Sequence, residues 1–156
     1  MRAFDVSRIR GASQPDHCNL RLNDMDVLKK TIMGGNQREI LCLALVTLES
    51  WSLSAASICR VLRLTTSELE DVMHQSSDIE GLYRLTAKQV ERSRLVLELC
   101  IVINATFENP RNRNKFVNWP NPIFGGRTPL DILENDDLVA LRLAVHQLGS
   151  QSRWPW

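Results

Sequence analysis

From Gln37 onward the apolar positions follow a helical period. Ile40, Leu41, Ala44, Leu45 and Leu48 recur at i, i+1, i+4, i+5 and i+8, which predicts an amphipathic helix of about fourteen residues. Trp51-Ser52-Leu53-Ser54 breaks that pattern, and Ser54 is placed to cap a second helix bearing Ala55, Ala56, Ile58, Cys59, Val61 and Leu62. A second break at Leu64-Thr65-Thr66 leads to a third helix, begun by Thr66 or Ser67, with Leu69, Val72 and Met73 inward. Further along, Leu85-Thr86-Ala87-Lys88 opens a longer helix with Thr86 as N-cap. Val90, Leu95, Val96, Leu97, Leu99, Cys100, Ile101, Val102 and Ile103 make its second half apolar nearly all round, the signature of a helix buried on several sides. Glu91-Arg92 and Arg94 fall on its earlier portion, expected to be wetter.

The flanking segments differ in character. Residues 1–35 are polar, contain Gly11, Pro15 and Gly34-Gly35, and hold one short helical stretch, Asn23 to Met33, begun by Asn23 or Asp24; a partly ordered arm is expected. After Asn109-Pro110 comes the basic run Arg111-Asn112-Arg113-Asn114-Lys115, which reads either as a solvated helix end or loop or as a docking patch for an acidic partner. The stretch 118–133, NWPNPIFGGRTPLDIL, is more specific. Its two Xaa-Pro steps hold the preceding residues extended, Gly125-Gly126 supplies positive φ or close backbone approach, and Ile123 and Phe124 anchor the turn. Thr128 fits as N-cap, Pro129 as first helical residue and Asp131 as capping-box acid. Leu130, Ile132, Leu133 and Leu138 follow, and a last helix bearing Val139, Leu141, Leu143, Val145 and Leu148 is expected to close at Gly149 as C′ residue. The fold class is therefore all-α, divided at 1–35, 36–80 and 81–156 into an arm, a helix-turn-helix-like bundle and a second small helical unit ending in a tail.

The pair SLSAASICRVLRLTTSELEDVM has the rhythm of a helix-turn-helix. In a DNA reader the second helix lies in the major groove, but here it presents Glu68, Glu70 and Asp71, which repel a polyanion. Arg60 and Arg63, with Lys29 and Lys30 and the arm's Arg8 and Arg10, are the candidates for DNA-backbone contact. The motif argues more for a helical packing or dimerisation module than for DNA recognition.

Composition adds limits rather than direction. A chain of 156 residues, 44% hydrophobic and 24% charged, buries a real core, and a formal charge of +1 gives no global pull toward nucleic acid or an acidic membrane. Cys18, Cys42, Cys59 and Cys100 form no CxxC pair and fit reduced, mostly buried thiols in a cytoplasmic protein, with no metal site expected. Met1 to Gln14 has arginines without an apolar run behind them, so no secretory leader is expected; no apolar stretch approaches the roughly 20 residues of a membrane span. His17, His74 and His146 lie in different segments, without HExxH, serine-elbow or cysteine–histidine spacing, and Gly-Gly-Arg-Thr lacks the phosphate-loop lysine. A non-enzyme without cofactors is expected.

From Leu85 onward the chain resembles the toxin-binding domain of the Xre/MbcA/ParS family of antitoxins, the partners of RES-domain toxins. The matching features are Leu85-Thr86 with Glu91-Arg92, an apolar helix, Trp119-x-x-Asn121-Pro122, the run Gly125 to Leu133 and an apolar terminal helix. The three-helix unit upstream is also similar to that family's N-terminal region, and the resemblance spans about residues 37–149. It implies a dimer-forming all-helical antitoxin that binds an NAD-consuming or ADP-ribosylating RES-domain toxin and covers its active site. The acidic second helix and the long arm depart from the pattern and bear on promoter DNA binding. The competing expectation is a helix-turn-helix transcription regulator, self-repressing in one form, with a helical dimerisation or sensing domain.

Interfaces concentrate energy in aromatics and arginines, which makes Trp119, Arg127, Arg153, Trp154 and Trp156 the candidate toxin contacts. Trp119 reads equally as a core residue beside the Gly-Gly turn. Arg127 reads equally as a brace to Asp131 or to a helix C-terminus. The tail SQSRWPW offers two indoles after the last helix, and its expected place is in or near the toxin's substrate cleft.

Overall fold

The computed structural model describes residues 24–74, 85–135 and 138–151, and within them the chain is all helix, with no strand. The elements are α1 (Met25–Gly34), α2 (Gln37–Ser50), α3 (Ala55–Leu62), α4 (Thr66–His74), α5 (Ala87–Thr106), α6 (Pro110–Val117), a 3-10 turn (Pro122–Phe124), α7 (Pro129–Asn135) and α8 (Leu138–Gln151). Each start has a chemical cause. Asp24, Asn36, Ser54, Thr86 and Asn109 accept the first free backbone N–H groups of α1, α2, α3, α5 and α6, and α2 and α5 add full capping boxes through Glu39 and Gln89. At α4 the cap is Thr65, one residue before the expected start: Glu68 N–H donates to Thr65 Oγ1, and Thr65 N–H donates to the Glu68 carboxylate at 2.6 Å.

Helix α5 is the axis. It packs most extensively on α2 and also meets α1, α3, α6 and α8. The stripe Ile40, Leu41, Ala44, Leu45 and Leu48 of α2 is fully withdrawn from solvent against it, each large side chain contributing about 1.5–3 kcal/mol of hydrophobic burial. One cluster of buried apolar side chains runs from Leu28 in α1 to Leu148 in α8. Leu28 is 1% exposed, so the last part of the expected arm, α1, belongs to that cluster. Arg142 of α8 pairs with Glu91 near the start of α5, and a methyl added at Gly149 would meet Val102 Cγ2 at 3.6 Å near its end. Helices α5 and α8 therefore run side by side in the same direction.

Three local expectations are corrected. Asn109-Pro110 starts a helix, α6, because Asn109 caps it and Pro110 takes the first position, where its missing N–H is harmless. Gly149 does not end α8, which continues to Gln151; a helical glycine costs only about 1 kcal/mol, little beside the packing of α8 along α5. Arg92, placed on the wet part of α5, is completely buried. Its Nε donates to the Val61 carbonyl of α3 and its Nη2 to the Leu133 carbonyl of α7. Both carbonyls lie in the last turn of their helices; Thr65 N–H, which would reach Val61 if α3 continued, is already given to Glu68. One guanidinium thus closes two helix C-termini and favours the negative ends of both.

Candidate interaction surface

The turn between α6 and α7 is closed by its own backbone. Asn121 N–H donates to the Arg127 carbonyl at 3.0 Å, and the N–H groups of Phe124 and Gly126 return to the Asn121 carbonyl at 2.9 and 3.0 Å. That closure requires positive φ at two consecutive positions, and Gly125 (64°) and Gly126 (82°) supply it. Phe124 is buried and pins the turn to the core beside α8; the side chain of Ile123 lies outside the described set. Thr128 Oγ1 accepts from Asp131 N–H at 2.9 Å, and Pro129 begins α7, as the sequence pattern requires.

On this frame Trp119 is 65% exposed, which removes its reading as a core residue. Its N–H donates to the Phe116 carbonyl, so the backbone is fixed while the indole faces water. Arg127 Nη1 lies 3.6 Å from Asp131 Oδ2, with both side chains nearly half exposed. That is the brace of the sequence reading, yet an exposed i,i+4 pair holds with only about 0.3–0.5 kcal/mol and leaves the guanidinium on the surface. Trp119, Pro120 and Asn121 join Phe107, Asn112, Lys115 and Phe116 in lining a groove of about 250 Å³. Phe107 and Phe116 were not singled out from sequence; their rings pack at 5.2 Å and both line the groove. Arg153, Trp154 and Trp156 lie outside the described residues.

The proposed DNA contacts are dispersed in use. Arg60 is held by Glu134 of α7, with Nε–Oε2 at 3.0 Å and Nη2–Oε1 at 3.2 Å, and also bonds Ser57 Oγ. The hydrogen bonds and charge of Glu134 raise the Arg60 pKa. Burial alone pushes Glu134 up, but the hydrogen bonds from Arg60 and Ser57 and the Arg60 charge hold it below the ordinary glutamate value. Arg63 ends α3 in the left-handed region (φ 59°, ψ 41°), its carbonyl accepting from Gln89 Nε2 at 3.0 Å while its side chain is exposed. Lys29 and Lys30 are exposed on α1, and Glu70 and Asp71 on α4.

Cys42, Cys59 and Cys100 form no disulfide, and burial pushes the Cys100 thiol up. Among the described residues there is no cluster of three His, Cys, Asp or Glu side chains that could hold a metal, and no helix long and apolar enough to cross a membrane. No family model, curated protein or solved structure matches this chain.

Proposed function

We propose that the chain is the antitoxin of a type II toxin–antitoxin pair, acting by direct binding to a RES-domain toxin whose active site it covers. The observation that carries this reading is the Asn121–Arg127 turn, a backbone-closed element that costs two positive-φ positions and keeps Trp119 and Arg127 at the surface. A loop serving only to connect α6 to α7 needs neither the closure nor an exposed indole. In this assignment residues 36–80 are the helix-turn-helix-like domain, residues 81–156 bind toxin, and the chain pairs as a homodimer in the cytoplasm. The NAD-directed chemistry belongs to the partner.

Co-expression with the adjacent open reading frame is the direct test. The neighbour alone should arrest growth, this chain should restore it, and the two should co-purify; a harmless neighbour, or one that does not co-purify, removes the assignment. Removing residues 150–156 should weaken neutralisation, and undiminished neutralisation would discard the tail as a toxin contact. The regulator reading is weaker because Arg60 is bound to Glu134 and α4 presents carboxylates. A gel shift on the upstream promoter at stated salt, giving tight specific binding without any toxin, would restore it.

A further inference from the structure

The groove beside Trp119 has properties that select its occupant. Phe107, Phe116, Trp119 and Pro120 line it with apolar surface, and Asn112, Lys115 and Asn121 add polar groups. About 250 Å³ is below the roughly 300–1,000 Å³ of small-molecule pockets and suits one large side chain of a docking segment. The walls are set in advance. Arg113 Nε donates to the Phe107 carbonyl at 2.7 Å and its Nη2 to the Glu108 carbonyl at 3.2 Å, locking α6 onto the end of α5. Asn118 Nδ2 donates to the Asn114 carbonyl, and the N–H groups of Asn118 and Trp119 finish the helix on Lys115 and Phe116. The backbone of the groove is therefore ordered before anything binds, which lowers the cost of association at a small site.

The charge on this helix has one sign. Within PRNRNKFV, α6 carries Arg111, Arg113 and Lys115 and no acid. Arg113 Nε and Nη2 donate to the Phe107 and Glu108 carbonyls, which orient its guanidinium. Arg111 and Lys115 are exposed and enter no ion pair among the described residues. The chain's own residues 152–156 carry Arg153 and so do not complement this field. A single-stranded nucleic acid does, but it binds along a charged track with successive stacking platforms, whereas this groove is the size of one side chain.

We infer that the α6 groove is a docking site for an acidic peptide segment of a partner protein, with one aromatic or leucine side chain seated on Phe107, Phe116 and Trp119 and its carboxylates toward Lys115 and Arg111. The inference deepens the toxin-binding reading by naming the chemistry of the partner's segment, and it rests on that reading only in assigning the segment to the toxin.

The test needs no toxin. A random dodecapeptide display library is selected on the full chain, in parallel with a Trp119→Ala, Lys115→Glu double variant, and a fluorescent twelve-nucleotide oligothymidine is titrated in the same buffer. Enriched peptides should place Asp or Glu within a few positions of Trp, Phe or Leu. Their affinity should fall at least about tenfold with either single substitution and should fall again when salt is raised. Both side chains are exposed, so helicity and thermal midpoint should stay at the parent values. A neutral or basic consensus, no enrichment over the double variant, or affinity indifferent to both substitutions overturns the inference. Tighter binding of the oligonucleotide than of any peptide also does. Loss of the toxin pairing in co-expression leaves this selection unaffected, and failure of the selection leaves toxin binding standing, so the two readings fail separately.

Discussion

Replacing Arg92 by methionine removes the guanidinium and keeps an unbranched apolar stem in the same space. The Val61 and Leu133 carbonyls then lose their donors inside the core, where water does not reach a side chain with no exposed surface. Each buried acceptor left unsatisfied costs about 1–3 kcal/mol, a gross loss of about 2–6 kcal/mol. Against this, the charge no longer has to be held out of water, and exchanging buried ionic groups for apolar ones returns about 1–4 kcal/mol in favourable cases. Two acceptors at helix ends, where the backbone dipoles add to the loss, put the balance at about 2–4 kcal/mol destabilising. With a slope of about 2 kcal/mol per molar urea, the unfolding midpoint should drop by about 1–2 M. Arg92→Lys should recover only part of this, because an ammonium cannot span two carbonyls as a planar fork does. Equilibrium urea unfolding followed by helical circular dichroism measures it. A midpoint for Arg92→Met within about 0.3 M of the parent would refute the argument that this side chain joins α3, α5 and α7.

The two glycine sites should respond with opposite signs. Gly126→Ala has no clash to relieve but retains φ of 82°, and should cost about 1 kcal/mol in the same unfolding assay; Gly149→Ala lies in α8 with only ordinary contact to Val102 and should gain about 0.5–1 kcal/mol. Burial and the neighbouring Glu91 charge raise the Glu98 pKa, with Arg142 and Arg94 opposing them only in part. Below the ordinary value of about 4.5 both folded and unfolded states hold that proton, so Glu98→Gln should be neutral there and become stabilising as pH rises through the folded value, read as thermal midpoints from pH 4 to 8. Glu134 has the reverse sign: its depressed folded value means that the advantage of the parent over Glu134→Gln is present above the ordinary value and fades as pH falls through the folded one.

Much of the helical frame was legible because it rests on local chemistry. The α2 stripe, the caps at Ser54 and Thr86 and the Thr128-Pro129 start of α7 each follow from residues within one or two turns. Arg92 was missed because a charged residue next to Glu91 reads as solvated, although it stands four, seven and eleven positions before Val96, Leu99 and Ile103 on the same buried line. What that line could not reveal is that its polar member meets two carbonyls from segments 31 and 41 residues away. Leu28 was not singled out either: α1 is short, and it buries Leu28, with Ile32 one turn on partly buried beside the same core, through packing on α5 and α2. The exposure of Trp119 had no periodic signal at all, since it falls between α6 and the turn. The groove depends on Phe107 meeting Phe116 across the break between α5 and α6, a tertiary contact that spacing alone leaves undetermined.

The Asn121–Arg127 turn with its short helix looks self-sufficient, with its own glycines, its own cap and its own closing hydrogen bonds. It is not a portable cassette. The far end of α7 is finished by Arg92 from a different helix, which at the same moment finishes α3. Transplanting residues 118–135 onto another helical scaffold would leave Leu133 without its donor, and a chimera that exchanged α3 alone would have to offer Arg92 a carbonyl in the same place. For anyone engineering this surface, the smallest exchangeable unit spans α3 to α7.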